Sequence, residues 1–262
     1  MEVKAITREE ILNCLIRALK PLNYVYAAWQ GGSAAFKRVD VWSDIDVVVD
    51  VEDDKIKDMF NVLDISLESL AKIENSYGGT QSLSPGAYQK VYKLHGTSKF
   101  MVIEICAVKH TSTEKLLNKE VHGDILVLFD KCNVAQATPM NKIEFAKTLR
   151  TRIENVDSLF NMYQFLIEKE LNRHNYIEAI SFYQSFSLGL LLEMLRIKYK
   201  PYRYNFKTRY VYYDFPEDVV KRLHNFYFIK DGEELRERHQ EIIEWFNEVM
   251  AYLKNVNLEE LL

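Results

Sequence analysis

The sequence has few cysteines and no long apolar run. Its three cysteines, Cys14, Cys106 and Cys132, are odd in number and widely spaced. This spacing excludes a C-x-x-C zinc motif and offers no disulfide framework, so we expect free thiols in a reducing compartment, the cytoplasm. No apolar stretch reaches the roughly 20 residues that a membrane-spanning helix needs. We therefore expect no membrane partner.

An excess of basic charge is also absent. The 262 residues carry 34 Lys and Arg against 38 Asp and Glu, a formal net charge of −4. Proteins that track nucleic acid by their overall field are usually basic. The charge balance therefore ranks nucleic acid behind small molecules as a partner, and an acidic cleft suits a cationic small molecule.

What the chain does contain is a small flexible turn followed by two closely spaced carboxylates. Gly31-Gly32-Ser33 follows an apolar segment, and Ser43-Asp44-Ile45-Asp46 opens a second apolar run. On a strand, residues i and i+2 face the same side, so Asp44 and Asp46 should stand next to each other. Two such charges repel each other and are costly to bury unpaired. The spacing therefore predicts a divalent cation between them.

The turn predicts an anion-binding site beside that cation. Gly32 and Ser33 offer backbone N–H groups and a hydroxyl, which suit phosphate oxygens. Lys37 follows shortly after and adds a positive charge close to the turn. A phosphate site next to a hard divalent cation indicates nucleotide chemistry.

A third candidate ligand stands in a later strand. Residues 88–94 and 100–108 predict two strands of a hairpin, and Glu104 is the one acid in the apolar run of the second. A lone carboxylate inside a central strand is costly to bury unless it is paired or bound to a metal ion. We therefore predict Glu104 as the third metal ligand. One alternative is an edge strand on which Glu104 faces water, and another places the third acid at Asp124 or Asp130, at the ends of the apolar run 125–129.

The pattern of apolar residues changes near residue 139. Before it, strand and helix signals alternate, and residues 76–87, rich in Gly, Ser, Thr and Pro, are typical of a loop. After it, helical periodicity predicts a bundle of about four helices, over 141–172, 176–199, 216–229 and 233–253. The predicted fold class is α+β: a mixed sheet with flanking helices in 1–138, followed by an α-helical bundle in 139–262.

One segment of the helical half, residues 198–213, interleaves basic and aromatic side chains. Such a mixture can hold polyphosphate by charge and a base or sugar ring by stacking. Arg203, Lys207 and Arg209 are its candidate nucleotide-binding residues. The alternative is a loop whose aromatic rings pack on the bundle while its cations are solvated.

Gly32-Ser33, a spacer, and then Ser43-Asp44-Ile45-Asp46-Val47 resemble the signature of the nucleotidyltransferase (DNA polymerase beta-like) superfamily. A nucleotidyltransferase domain followed by a helical bundle is also similar in order and size to the aminoglycoside and lincosamide nucleotidyltransferases. The spacer, residues 34–42, lacks the Arg-Gly often seen after Gly-Ser in this superfamily. Glu104 stands where the superfamily more often has Asp.

The resemblance implies Mg²⁺-dependent transfer of a nucleoside monophosphate from an NTP such as ATP to a hydroxyl group. It implies that three acids are catalytic and hold two Mg²⁺ ions, and that a second set binds the nucleotide. The acids are Asp44, Asp46 and Glu104, and the nucleotide-binding set includes Gly32, Ser33, Ser43 and Lys37.

The acceptor that the resemblance implies is a small molecule, such as an antibiotic of the aminoglycoside or lincosamide type, bound by the helical domain 139–262. A homodimer is compatible with the family. Two alternatives stay open. One is transfer to RNA, tRNA or a protein side chain, and the other is a non-catalytic nucleotide-binding protein or a partner in a toxin–antitoxin pair.

Overall fold

The computed structural model describes residues 5–84, 86–137 and 139–262, with the side chains of 80–84 excepted. The chain forms two compact units, Met1–Pro139 and Met140–Leu262. The predicted domain boundary at residue 138 and the first four residues of the first predicted domain lie outside the described residues. The fold class is α+β, as predicted, with a mixed sheet and helices in the first unit and helices in the second.

A six-stranded mixed sheet organises the first unit. Its strands are β1 (Val25–Gln30), β2 (Ile45–Val51), β3 (Ile73–Ser84), β4 (Ala87–Leu94), β5 (Ile103–Lys109) and β6 (Leu126–Asp130). They lie in the spatial order β3-β4-β5-β2-β1-β6. β2 runs parallel to β5, and every other neighbouring pair is antiparallel. β2 and β5 are therefore interior strands.

The helices of the first unit are α1 (Arg8–Leu19), α2 (Gly32–Ala35), α3 (Ile56–Leu70) and α4 (Lys119–His122). α1 and α3 cover one face of the sheet. α1 starts at a capping box in which Thr7 and Glu10 exchange hydrogen bonds. Alternate side chains of β2 pack into one core with α1 and α3; they are Ile45, Val47, Val49 and Val51. This alternation turns the intervening β2 residues to the opposite face.

Residues 76–84 belong to a strand, which corrects the loop predicted over 76–87. β3 pairs with β4 at the edge of the sheet, and its register shifts between Gly78 and Ser82. Gly78 and Gly79 adopt φ angles of +96° and +90°, which a bulged edge strand accommodates. The glycines that predicted a loop therefore form irregularities within a strand. Residue 85 of that predicted loop lies outside the described residues.

Helices form the second unit, as the periodicity after residue 139 predicts. The longer ones are α5 (Lys142–Asn172), α6 (Tyr176–Phe182) continued by a π-helix (Tyr183–Leu188) and α7 (Gly189–Tyr199), then α9 (Glu217–Tyr227) and α10 (Gly232–Asn255). Three short elements complete the unit: a 3₁₀ turn (Pro201–Arg203), α8 (Val211–Asp214) and α11 (Leu258–Leu261). In the core, the rings of Phe160 and Phe246 stack with centroids 3.6 Å apart. Within the described ranges, no helix has the length and apolar character needed to span a bilayer.

Candidate active site

Asp46 and Glu104 lie side by side on neighbouring strands. They are register partners in the parallel pair of β2 and β5. Adjacent strands are about 4.8 Å apart, and side chains at partnered positions share a face. Both residues are half-buried, whereas the β2 residues on either side of Asp46 are buried in the core. The structure thus brings two of the three predicted carboxylates together.

Asp44 directly precedes β2, where its backbone is held in place. Its carbonyl oxygen accepts a hydrogen bond of 2.6 Å from the guanidinium of Arg8. The next residue, Ile45, donates from its backbone N–H to the carbonyl oxygen of Val102 at 2.8 Å. Asp44 therefore enters the sheet at the same end as Asp46 and Glu104.

Arg8 is a functional candidate that the sequence reasoning missed. Burial lowers the pKa of Arg8, while the negative charges of Asp46 and Asp44 oppose that lowering. Arg8 also donates to the side-chain oxygen of Gln30 at 3.4 Å. A signal was present in the sequence, because a cation in the first turn of α1 opposes the helix dipole. The position of Arg8 beside Asp44 and Asp46 explains why a cation stands in this first turn.

The Gly31-Gly32-Ser33 turn packs directly on Asp46. The N–H of Gly31 donates to the carbonyl oxygen of Asp46 at 3.1 Å. Gly32 has a φ of +53°, and a Cβ added there would lie 1.7 Å from Oδ2 of Asp46. Only glycine allows the backbone to approach the carboxylate so closely. The predicted phosphate-binding turn and the predicted metal ligand are therefore in contact.

The hydroxyl group of Ser33 is a polar group without a hydrogen bond among the described residues. Its Oγ is also buried. Buried polar groups without a partner are rare in folded proteins, and each one calls for an explanation. An oxygen of a phosphate bound on the turn would supply the missing partner.

We predict that Gly32→Ala disables this site. The new methyl group would collide with the Asp46 carboxylate, and a left-handed backbone costs a non-glycine residue about 1–2 kcal/mol. Relieving the collision would displace the turn or the carboxylate, and a displacement of about 1 Å near a reacting centre can lower the rate about 100-fold. We therefore expect kcat/KM to fall by about that factor, measured as transfer of label from an NTP.

The adjacent glycine provides the matched control. A Cβ added at Gly31 meets no heavy atom within 4 Å, and the φ of Gly31 is −109°. Gly31→Ala should therefore keep most of the activity. Equal losses in the two variants would contradict the steric argument.

Two other predicted nucleotide-binding residues lie in the loop between the turn and β2. The hydroxyl of Ser43 donates to Oδ1 of Asp40 at 2.8 Å and accepts from the N–H of Asp40 at 2.9 Å. Ser43 thus shapes the loop that delivers Asp44. Lys37 is exposed and has a φ of +55°. Neither residue has a contact that tests nucleotide binding, so both assignments stay predictions.

An exposed aromatic pair is a further feature that sequence reasoning did not single out. Trp42, two residues before Asp44, is 63% exposed, and Phe100 is 37% exposed. Their rings meet edge to face with centroids 4.6 Å apart. Large aromatic faces open to solvent offer a stacking surface for a base. The signal in the sequence was a tryptophan in a polar loop next to the acids.

The three predicted residues of the helical unit differ in exposure. Arg203 is buried, and its guanidinium forms an ion pair of 3.0 Å with Asp214. Arg203 therefore pairs within its own unit, and its nucleotide-binding role stays a prediction. Lys207 and Arg209 are exposed, and Arg209 lies over the rings of Phe206 and Tyr210. Their nucleotide-binding roles stay predictions.

The carboxylate pair suits Mg²⁺ in its usual mode of binding. Mg²⁺ prefers oxygen ligands and commonly takes one or two protein carboxylates, with substrate phosphates and water completing the shell. Asp46 and Glu104 supply such a pair, beside the turn at Gly32. Across residues 5–84, 86–137 and 139–262, no three Asp, Glu, His or Cys side chains are placed to hold a metal ion by themselves. The Asp46–Glu104 pair supplies the two carboxylates of such a site; Asp44 as a third ligand and a second ion stay predictions.

Two solved structures are similar to this chain. An aminoglycoside 6-adenyltransferase from Bacillus subtilis has a TM-score of 0.38 at 13% identity, over 97% of this chain and 95% of that one. A STING-associated CdnE c-di-GMP synthase from Capnocytophaga granulosa has a TM-score of 0.26 at 14% identity, over 93% and 83%. No family model and no curated protein matches the sequence. At these TM-scores and identities the two similarities assign neither a family, nor site residues, nor a substrate to this chain.

Proposed function

We propose that this chain transfers a nucleoside monophosphate from an NTP to a hydroxyl group of a small molecule, with Mg²⁺ as cofactor. The observation that carries the proposal is the contact between the glycine turn and Asp46, where a Cβ at Gly32 would meet Oδ2 at 1.7 Å. This contact puts backbone N–H groups and the unpartnered Ser33 hydroxyl next to the Asp46–Glu104 pair. Phosphate and metal are handled together in phosphoryl and nucleotidyl transfer.

Each part of the site then has a task in the reaction. The turn holds the triphosphate through its N–H groups and Ser33, which fixes the α-phosphorus for attack. Asp46 and Glu104 would hold Mg²⁺, which would supply positive charge against the phosphates and make the acceptor hydroxyl easier to ionise. The acceptor oxygen bonds to the α-phosphorus, the bond to pyrophosphate breaks, and the carboxylate of Glu104 takes the hydroxyl proton. Arg8 orients the chain at Asp44 through its bond to the Asp44 carbonyl oxygen.

The acceptor is the less constrained half of the proposal. A cationic antibiotic, as in the aminoglycoside and lincosamide enzymes, agrees with the net charge of −4. RNA, tRNA and protein side chains are the alternative acceptors. The predicted basic segment supports them less once Arg203 is buried against Asp214. A nucleotide-binding protein without transfer activity is the remaining alternative.

Calorimetric titration with ATP, GTP, CTP and UTP, each with Mg²⁺ and with EDTA, tests the donor side. We expect at least one NTP to bind with Mg²⁺, at a dissociation constant in the range of about 1 µM to 1 mM that is usual for enzyme substrates. Labelled NTPs incubated with pooled aminoglycosides, lincosamides, sugars and tRNA then identify the acceptor class. The absence of metal-dependent binding to all four NTPs would refute the proposal, and binding without transfer to any pool would favour the non-catalytic alternative.

A further inference from the structure

A cavity of about 770 Å³ lies entirely within the helical unit. Small-molecule sites typically measure about 300–1,000 Å³, so a ligand of a few rings would fit. Its walls come from α5, the π-helix, α7, α9 and the segment 204–208. Seven lining residues carry its chemistry: Arg152, Gln184, Ser185, Glu193, Tyr204, Lys207 and Tyr227.

The wall at the π-helix is unusual backbone. π-helical turns are rare and occur frequently at functional sites, because the wide turn displaces side chains from the regular helix surface. The π-helix Tyr183–Leu188 buries Tyr183 and Ser187 and leaves Gln184 and Ser185 exposed at the cavity. Gly189 follows, and a Cβ there would come within 3.0 Å of the Gln184 carbonyl oxygen. The cavity thus gains polar groups from a distorted turn.

A second wall, the segment 204–208, is hydrogen-bonded to α7. Arg196 is fully buried and donates from Nε to the carbonyl oxygen of Lys207 at 2.5 Å, and also to the carbonyl oxygen of Arg209. Lys207 and Tyr210 have φ angles of +51° and +60°. A left-handed backbone at non-glycine residues persists only where the surroundings impose it, and it clusters at functional sites. Arg196 therefore fixes the backbone that carries Lys207 into the cavity wall.

The charges of the cavity favour an anion over a polycation. Glu193 is its one lining acid, and Arg152 neutralises it with two hydrogen bonds of 2.5 and 2.8 Å. Lys207 has no acidic partner in the part of the chain that the structure describes. Two cations against one acid give the lining a formal charge of +1. This local charge opposes the acidic balance of the whole chain.

We propose that this cavity binds a phosphorylated sugar ring, either a free sugar phosphate or the sugar and phosphate of a nucleotide. Lys207 would pair with the phosphate. The rings of Tyr204 and Tyr227 would pack on the sugar or base, and Glu193, Gln184 and Ser185 would bind hydroxyl groups. If the bound sugar phosphate is the acceptor, the inference rests on the nucleotidyl transfer proposed above. The claim that the cavity binds such a ligand does not depend on that reaction.

Binding to the full chain tests this inference apart from the transfer reaction. Ribose 5-phosphate, AMP, ribose, inorganic phosphate and kanamycin are titrated calorimetrically in EDTA, into wild type and into Asp46→Asn. We expect ribose 5-phosphate or AMP to bind both proteins, more tightly than ribose or inorganic phosphate. The comparison of these two ligands shows whether the ring belongs to a free sugar phosphate or to a nucleotide. Binding of AMP to wild type that is lost in Asp46→Asn would place it at the NTP site and overturn the inference for nucleotides.

Lys207→Gln should weaken binding of the phosphorylated ligand about tenfold or more, because a charge-assisted hydrogen bond is lost. The matched control is Lys221→Gln, an exposed lysine of the same unit outside the cavity; it should change binding less than twofold. Unchanged binding in Lys207→Gln, or kanamycin as the tightest ligand, would overturn the inference. Failure of NTP binding alone would refute the transfer reaction and leave this result intact.

Discussion

Replacing Asp46 with asparagine is expected to abolish nucleotidyl transfer while the protein stays folded. Asn keeps the shape of the side chain against Gly32 but removes the charge that would hold Mg²⁺ and phosphate next to Glu104. Losing a charge that stabilises the transition state commonly lowers kcat about 100- to 1,000-fold, and losing a metal ligand more. We expect a loss of about 1,000-fold or more, measured as release of labelled pyrophosphate in saturating acceptor.

Stability separates this result from simple misfolding. The charge removed repels Glu104 as well as attracting Arg8, so the free energy of unfolding should change by about 1 kcal/mol or less. Asp58→Asn is the matched control, because Asp58 lies in the first turn of α3 and its ion pair of 3.1 Å with Lys55 is exposed. It should keep wild-type turnover. If the Asp46→Asn protein is folded and still transfers nucleotide, the reaction does not take place at the Gly31-Gly32-Ser33 turn.

The local part of this site was predictable from the sequence. Asp46 and the turn are close along the chain, and strand alternation alone sets the direction of the Asp46 side chain. Glu104 is distant in sequence, yet an acid in an apolar strand is a mismatch that stands out by itself. The structure adds the parallel pairing that makes Asp46 and Glu104 register partners. Pairing of distant strands depends on topology, which the spacing of residues does not contain.

The sequence did not reveal which charged residues are buried and paired with residues distant in the chain. Asp50 stands four residues after Asp46 and resembles one more surface acid, but it is fully buried. It accepts from Nδ1 of His110 at 2.6 Å and pairs with Lys115. Arg203 likewise lies in a basic segment, and its ion pair with the buried Asp214 could not be read from that segment. In both cases the charge was visible, and the burial that decides its role was not.

The stability of the helical unit is expected to depend strongly on Asp214. Its side chain is 1% exposed and lies between two arginines, with Nη1 of Arg196 at 3.2 Å and Nη1 of Arg203 at 3.0 Å. Burial lowers the pKa of Arg196, and the hydrogen bond and charge of Asp214 oppose that lowering. Asp214 thus compensates two guanidinium groups that are otherwise costly to bury.

We therefore predict that Asp214→Ala lowers the free energy of unfolding by about 3–5 kcal/mol, the usual loss when one partner of a buried ion pair is removed. Asp214→Asn should lose less, because its amide oxygen still accepts hydrogen bonds. Asp218→Ala is the matched control, an exposed acid in the first turn of α9. Its loss should stay within about 1 kcal/mol, since an exposed charge near a helix terminus contributes only that much.

Urea unfolding followed by ¹⁹F NMR of 5-fluorotryptophan-labelled protein assigns the loss to the correct unit. Trp245 reports on the helical unit, where it is 5% exposed in α10, whereas Trp29 and Trp42 report on the sheet unit. In Asp214→Ala the Trp245 transition should shift to lower urea more than the other two. The same substitution should weaken binding in the cavity, because Arg196 holds both Asp214 and the carbonyl oxygen of Lys207. Equal stability of Asp214→Ala and Asp218→Ala would show that the two arginines find other partners, and would remove the basis for a rigid Lys207 wall.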